Sequence, residues 1–244
     1  MKLITKLEHT PYYVATALLL PVLAIQAFWV KAKVLRLPEP SGERSGKQGS
    51  DGNELSILVL GDSAAAGVGV EVQEHALTCQ LAENLATKYQ VNWQLVAKTG
   101  FTSKDIIQEL NTLPEQTFDY VVVSVGVNDV THLTSMKRWN SNIQTIVNVI
   151  KDKFNSPAVL LTCVPPMQLF KSLPYPLSWW LGLRAKRFNN VMAEISEDKT
   201  HCSLLSFDLP FEPEFLAQDG FHPSNVAYRI WANQAADKIE KPFN

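Results

Sequence analysis

Two segments far apart in the chain carry the residue types that transfer an acyl group through a serine. Ser63 follows Gly61 and Asp62, directly after a short apolar run. Asp219 and His222 stand three residues apart in a second segment, so the carboxylate can hold one ring nitrogen and leave the other free to face a serine. Serine needs such a base because its hydroxyl is hardly ionised at neutral pH. These residues therefore predict a nucleophile, a general base and a carboxylate that orients the base.

Two further glycine-containing segments offer groups that can bind a developing negative charge. The backbone N–H of Gly100 and the side-chain amide of Asn128 are suitable donors to the oxygen that becomes charged during acyl transfer. A helix that begins at Ser63 would aim its own N–H groups at the same point. Asn128 lies between Gly126 and Asp129, and Asp129 is expected to brace this loop rather than to transfer protons.

Each motif also has a purely structural interpretation. Ser63 and Asp62 are both residue types that cap helices. Gly100 is an ordinary turn residue, Asn128 is a common loop residue, and His222 on its own could be a surface histidine. The remaining histidines are interpreted as surface residues: His9, His75, His132 and His201. Four such signals at predicted strand ends, or just before the last helix, favour the catalytic interpretation.

The elements that must position these residues alternate between strand-like and helix-like patterns. Five apolar runs predict strands over Leu55–Leu60, Trp93–Ala97, Phe118–Val125, Ala158–Cys163 and Ser203–Phe207. Helical spacing predicts helices over residues 74–89, 105–110, 135–154 and 179–197, and a last helix that Ser224 caps and that carries Val226, Ile230 and Ile239. The alternation predicts an α/β fold, a three-layer α/β/α sandwich with a five-stranded parallel sheet. Ligands of such sheets bind at the carboxyl ends of the strands.

The N-terminal segment contains no formal charge from residue 12 to residue 30. Residues 1–37 are therefore predicted as an apolar helix, residues 38–54 as a linker rich in Gly, Pro and Ser, and residues 55–244 as the catalytic domain. Three interpretations of the helix stay open: a secretory signal cleaved after Ala24, a membrane anchor with the domain on the cytoplasmic side, or a helix docked on the domain. Lys31, Lys33 and Arg36 oppose export of the following chain, which favours an uncleaved helix that docks or associates with a membrane.

Composition and motifs exclude several other classes of function. The net charge of −2 offers no basic field for nucleic acid. Gly61–Gly69 has no Walker ending and no dinucleotide-binding fingerprint, so nucleotide binding has no support. Cys79, Cys163 and Cys202 form no CxxC pair, are interpreted as buried thiols, and predict neither a metal site nor a disulfide.

The ordered motifs GDS at 61–63, Gly100, GxND at 126–129 and DxxH at 219–222 resemble those of the SGNH hydrolases, also called GDSL lipases and esterases, over about residues 55–240. The resemblance implies a flavodoxin-like sandwich and a serine esterase that needs no metal or cofactor. It also implies roles: Ser63 as nucleophile, His222 as base, Asp219 as its orienting acid, and an oxyanion hole formed by Ser63 N–H, Gly100 N–H and Asn128. Ala64 stands where leucine is usual in the family, which bears on packing rather than on chemistry.

The expected reaction is two-step hydrolysis of a small-molecule or lipid ester, with short to medium acyl chains favoured. Residues 164–183 follow a predicted strand end and are rich in Pro and aromatic residues, so they form either an apolar wall over the acyl chain or a loop packed into the core. The N-terminal helix keeps lysophospholipids and acyl thioesters open as substrates. A different class also stays open, a membrane-tethered binding module on an inactive hydrolase scaffold.

Overall fold

The core of the protein is a six-stranded sheet in the order β1-β3-β2-β4-β5-β6. The computed structural model describes residues 4–49, 52–206 and 212–241. Its strands are β1 Ser45–Gln48, β2 Asn53–Gly61, β3 Tyr89–Ala97, β4 Tyr120–Ser124, β5 Ala158–Thr162 and β6 Cys202–Leu205. Strands β2 to β6 pair in parallel, and β1 pairs antiparallel with β3 at one edge. The five predicted strands are thus all present and parallel.

Eight helices of the described chain connect or flank these strands. They are α1 Ile4–Lys33, α2 Ser63–Ala66, α3 Leu77–Leu85, α4 Ser103–Thr112, α5 Val127–Thr131, α6 Met136–Lys153, α7 Leu177–Asp198 and α8 Asn225–Glu240. Short 3₁₀ turns lie at Gln73–His75, Met167–Leu169 and Pro213–Phe215. The segment predicted as one helix over 74–89 is therefore a 3₁₀ turn followed by α3, and residue 89 already begins β3.

Two apolar layers cover the two faces of the sheet. Because side chains alternate along a strand, Leu58 and Leu60 of β2 join one layer, while Ile57 and Val59 join the other. The first layer contains residues of α4, α6 and α7, and the second contains residues of α3 and α8. The predicted three-layer α/β/α sandwich is confirmed, and its central strands are buried on both sides as their continuous apolar runs indicate.

The sixth strand is a correction to the five-stranded sheet. β1 lies inside the segment predicted as a linker and pairs Ser45 with Gln94 and Gly46 with Trp93. Its residues Ser-Gly-Lys-Gln are polar and mostly exposed, so they carry no apolar pattern that sequence periodicity detects. At the other edge, β6 ends at Leu205, and residue 207 of the predicted fifth strand lies outside the described residues.

Helix α1 packs beside the start of α7, at the edge of the sheet where β2, β4 and β5 end. Its window Thr16–Lys33 is long and apolar enough to cross a membrane, with a mean hydropathy of 1.3, and only 6% of the window is buried. Because so little of this stretch is buried, α1 differs from a core helix of a globular domain, which is mostly buried.

Candidate active site

The predicted site residues gather at the carboxyl edge of the sheet. Parallel pairing places Gly61, the last residue of β2, beside Ala97 of β3 and Ser124 of β4. The segments that follow these strand ends carry Ser63, Gly100 and Asn128 to neighbouring positions, and all three line one cavity.

Ser63 is the first residue of the short helix α2, and Asp62 is its N-cap. The Asp62 side chain accepts a hydrogen bond from Ala64 N–H at 3.1 Å. Gly61 allows a close backbone approach, because a Cβ at this position would lie 2.3 Å from the carbonyl oxygen of Ser124. The strand can therefore end in a sharp turn that leaves Ser63 at the cavity.

His222 joins Ser63 to Asp219 through its two ring nitrogens. Nε2 lies 2.8 Å from Ser63 Oγ, and Nδ1 lies 2.5 Å from Asp219 Oδ2. The other carboxylate oxygen accepts hydrogen bonds from the N–H groups of Phe221 and His222 at 2.9 and 3.0 Å. Burial alone would raise the pKa of Asp219, but the hydrogen bonds from His222 and Phe221 hold it below its usual value. An ionised Asp219 requires the proton on Nδ1 and leaves the Nε2 lone pair facing Ser63.

Asn128 lies in the first turn of α5. Its amide donates one hydrogen bond to the carbonyl oxygen of Phe101 at 2.9 Å, and the amide carries a second N–H. Gly126 precedes it with φ +138°, and a Cβ there would lie 2.5 Å from the Val164 side chain. Gly100 has φ +90° and borders open space. Its backbone conformation, and not crowding, thus accounts for glycine at this position.

Asp129 is a buried brace between two loops of the site. Its carboxylate accepts hydrogen bonds from Ser103 N–H and Ser103 Oγ, both at 2.7 Å, and from Thr134 Oγ1 at 3.1 Å. Burial raises its pKa even though these hydrogen bonds oppose the shift. Because Ser103 begins α4, just after Gly100, this contact connects the loop of Gly100 to the helix of Asn128.

Asp62 is the most strongly perturbed carboxyl of the site. It is 3% exposed, and its pKa is raised to about 6, chiefly by burial and against the hydrogen bond from Ala64. Its side chain accepts a hydrogen bond at the start of α2, so it supports the turn that carries Ser63. Within the described residues, no group of three or more His, Cys, Asp or Glu side chains is placed to hold a metal ion.

Sequence reasoning missed the ion pair of Glu39 and Arg44, which contacts the loop of Gly100 from a segment outside the parallel strands. Glu39 Oε1 accepts a hydrogen bond from Thr99 N–H at 2.6 Å, and Arg44 donates to the carbonyl oxygen of Ala97 at 2.6 Å and to Glu39. Both residues lie in the predicted linker. Two charges in a polar segment give no sequence signal of their partners, because those partners are backbone groups far along the chain.

Sequence reasoning also missed Tyr228 on α8. Its hydroxyl lies 2.9 Å from the carbonyl oxygen of Ala64 and 2.8 Å from that of Val68, at both ends of the turn that begins at Ser63. Ser224 caps α8 as predicted, but Val226 is 38% exposed, and Tyr228 and Trp231 are buried. Helical spacing of apolar residues does not show whether Val226 or Tyr228 is the buried one. The buried face of α8 could therefore not be identified from the sequence pattern.

A cavity of about 720 Å³ opens from the three polar residues Ser63, Asn128 and His222. Apolar residues of the 164–183 segment line it: Val164, Pro165, Met167, Phe170, Leu173, Leu177, Trp180 and Leu181. Most of these side chains also belong to the buried apolar layer, so this segment both lines the cavity and packs into the core. The volume lies in the range of about 300–1,000 Å³ that is usual for small-molecule sites.

Comparisons with known proteins agree with this fold and its motifs. The model of the GDSL-like Lipase/Acylhydrolase family matches residues 59–230, more than half of the chain. An arylesterase from Vibrio mimicus is 24% identical over 192 residues, which cover 76% of this chain and 88% of the relative.

Two solved structures illustrate the likeness in three dimensions. TesA matches with a TM-score of 0.63 at 20% identity, over 78% of this chain and 99% of TesA. The psychrotrophic esterase EstA from Pseudoalteromonas sp. matches with a TM-score of 0.60 at 22% identity, over 76% of this chain and 96% of EstA. These two structures support the fold, and the family match confirms the resemblance drawn from the motifs. The chain therefore belongs to the GDSL-like lipase/acylhydrolase family of carboxylic ester hydrolases.

Proposed function

We propose that this enzyme hydrolyses esters of short to medium acyl chains through an acyl-enzyme on Ser63. The observation that carries the proposal is the continuous contact from Ser63 Oγ through the His222 ring to Asp219. His222 is the general base because its free ring nitrogen faces the hydroxyl, and Asp219 orients it.

In the first step, Ser63 Oγ attacks the ester carbonyl carbon while its proton passes to His222 Nε2. The carbonyl oxygen becomes negatively charged and accepts hydrogen bonds from Ser63 N–H, Gly100 N–H and the second amide N–H of Asn128. The C–O bond to the leaving group then breaks, and His222 returns the proton to the departing alkoxide. Water repeats the attack on the acyl-enzyme, again with His222 as base, and the acid is released from Ser63.

The lining of the cavity supports an apolar acyl group as the preferred substrate feature. Side chains of the 164–183 segment offer hydrocarbon surface next to Ser63, and each buried methylene of an acyl chain is worth about 0.8 kcal/mol. The arylesterase name of the Vibrio mimicus relative is consistent with ester hydrolysis. Lysophospholipids and acyl thioesters are the second candidate substrates, because residues of α1 line the same cavity.

A covalent probe separates this proposal from a non-catalytic binding module on a hydrolase scaffold. The related EstA structure is described as inhibited by monoethylphosphonate, so a tagged alkylphosphonate is a suitable reagent. Wild type and the control variant Ser141→Ala, which lies away from the site, should be labelled and should hydrolyse p-nitrophenyl butyrate. Ser63→Ala should do neither. Equal labelling of Ser63→Ala, or wild type that neither reacts nor turns over, would contradict the proposal.

A further inference from the structure

Helix α1 is held against the catalytic domain by polar side chains in a defined orientation. Gln26 donates to the carbonyl oxygen of Tyr175 at 2.8 Å and accepts from Leu177 N–H at 3.1 Å. The indole N–H of Trp180 donates to Thr16 Oγ1 at 2.8 Å. These three directional contacts, two at Gln26 and one at Thr16 ten residues earlier, fix both the rotation and the axial position of α1 relative to α7.

This orientation turns one side of α1 into a wall of the catalytic cavity. The cavity face of α1 consists of Leu20, Leu23, Ala24, Ala27, Val30 and Lys31. At about 100° per residue, these positions fall on one side of the helix. The surface that an acyl chain on Ser63 would contact therefore comes in part from a segment outside the predicted catalytic domain.

The opposite side of α1 is apolar and exposed. The outer face consists of Leu18, Val22, Ile25 and Trp29, with exposed fractions of 77%, 44%, 71% and 47%. At about 100° per residue, this face points away from the cavity face. An apolar patch of this kind on a folded protein marks an interaction surface.

A lipid bilayer is the occupant that fits the outer face. The face lies within Thr16–Lys33, a stretch that is long and apolar enough to cross a membrane. Basic residues cluster where this stretch ends, and Lys33 Nζ lies 4.4 Å from the centre of the Trp29 ring. Tryptophan beside lysine is the usual composition at the level of the lipid headgroups, where basic residues attract anionic lipids. Because α1 contacts the domain from Thr16 onward, a bilayer that covers the outer face would lie alongside this stretch and would not be crossed by it.

The part of the cavity wall that residues 20–37 supply carries its basic residues toward its C-terminal side. Lys31 and Arg36 both line the cavity, and Arg36 precedes by three residues Glu39, which binds the loop of Gly100. Along the chain, the Cα atom of Arg36 therefore lies within about 10 Å of the Cα atom of Glu39. Leu20 lies thirteen helical residues before the end of α1, about 20 Å away from it. The ester and an anionic headgroup thus match the end near Gly100, and the acyl chain matches the end near Leu20.

The geometry points to α1 as a shared wall between the catalytic cavity and the membrane. Its outer face lies in the bilayer surface, its cavity face binds the acyl chain, and the substrates are single-chain phospholipid esters that enter from the membrane. This inference rests on the proposed ester hydrolysis at Ser63 and names the substrate class and the binding element of that site.

The first experiment compares two identical substitutions on opposite sides of α1 in the full chain. Ala27→Trp fills the cavity, whereas Ala32→Trp adds the same side chain outside it. In wild type and Ala32→Trp, kcat/KM should rise from p-nitrophenyl butyrate to laurate, by up to about fourfold per buried methylene. In Ala27→Trp the laurate value should fall on the order of tenfold or more and the butyrate value much less, so that the laurate-to-butyrate ratio falls. An unchanged laurate-to-butyrate ratio would overturn the inference, while butyrate turnover shows that hydrolysis at Ser63 itself is intact.

The second experiment tests the bilayer as occupant by flotation with vesicles. Wild type should float with phosphatidylglycerol-containing vesicles and bind phosphatidylcholine vesicles less tightly. Ile25→Asp should stay in solution yet hydrolyse p-nitrophenyl butyrate at the wild-type rate. Wild type that does not float with either vesicle, or Ile25→Asp that floats like wild type, would overturn the membrane part of the inference.

The third experiment tests the headgroup with two esters that share one lauroyl chain. Arg36→Gln should raise KM for lauroyl lysophosphatidylglycerol on the order of tenfold, the usual worth of one charge-assisted hydrogen bond. It should change KM for monolaurin much less, and the exposed control Arg229→Gln should change neither value. Equal effects on both esters, or no effect on either, would overturn the phospholipid assignment.

Discussion

The carboxylate of Glu39 accepts a hydrogen bond from the backbone N–H of Thr99 at 2.6 Å. Glu39 belongs to the chain between α1 and β1, and Thr99 is the neighbour of Gly100. This contact therefore ties the segment that follows α1 to the loop of Gly100, whose N–H is the proposed oxyanion donor. Arg44 strengthens it by binding both Glu39 and the carbonyl oxygen of Ala97.

Glu39→Ala should lower kcat on the order of tenfold with little change in KM, because the Gly100 loop loses its anchor but keeps its N–H. This loss is smaller than the 10²–10³ expected when an oxyanion donor is removed outright. Glu39→Gln should recover much of the activity, since the amide oxygen still accepts from Thr99 N–H. Steady-state kinetics on p-nitrophenyl butyrate, with the exposed neighbour Glu43→Ala as control, checks the effect. Equal loss in Glu39→Gln and Glu39→Ala would argue against the positioning role.

Asn128→Ala should lower kcat by about 10²–10³, with a smaller effect on KM, if the amide donates to the oxyanion. The substitution also removes the hydrogen bond to the carbonyl oxygen of Phe101, so Tm is measured alongside the rate. The exposed Asn111→Ala is the matched control and should keep both quantities. Wild-type turnover in Asn128→Ala would remove this residue from the site.

Asp219→Asn should lower kcat on the order of 10⁴-fold, because an amide N–H facing Nδ1 favours the tautomer whose Nε2 proton points at Ser63. The pKa of Asp219 lies below its usual value, so the wild-type carboxylate stays ionised throughout the neutral range. Its stabilising contribution is present above the unfolded pKa of about 3.9 and is lost as pH falls through the lower folded value. Single-turnover kinetics with the exposed Asp198→Asn as control measures the effect, and a loss below tenfold would contradict it.

Asp62 should make the protein less stable as pH rises from about 4 to 6. Burial raises its folded pKa to about 6, above the unfolded value of about 3.9. The folded state then binds the proton more tightly, so the free energy of unfolding falls between these two values and stays low above them. A difference of about two pKa units corresponds to about 3 kcal/mol.

Urea unfolding between pH 4 and pH 7 checks this expectation with Asp62→Asn. The amide oxygen can still accept the hydrogen bond from Ala64 N–H, so the variant should be more stable than wild type at pH 7 and should have a flatter pH dependence. Asp105→Asn is a control of opposite sign, because the hydrogen bonds from Thr102 outweigh burial and lower the Asp105 pKa. A pH profile of Asp62→Asn that parallels wild type would show that Asp62 does not carry the trend.

The sequence by itself determined the sheet and the polar residues at its carboxyl edge. The apolar runs of β2 and β4 are continuous, and that of β4 is rich in β-branched residues. Such runs are typical of parallel strands that are buried on both faces. Once these strands are parallel, the segments after them must meet at one edge, so Ser63 and Asn128 were predicted as neighbours. His222 followed because Asp219 stands at a spacing that allows contact within one loop.

Tertiary structure alone decided what surrounds that edge. β1 and the contacts of Glu39 and Arg44 come from a polar, exposed segment, where no apolar periodicity records which distant backbone group is the partner. The placement of α1 was open for the opposite reason: a helix that is apolar on all sides does not indicate which side faces protein. Gln26 and Thr16 decide it through hydrogen bonds to residues about 150 positions away. Local patterns encode burial, whereas contacts between distant segments depend on the folded geometry that brings them together.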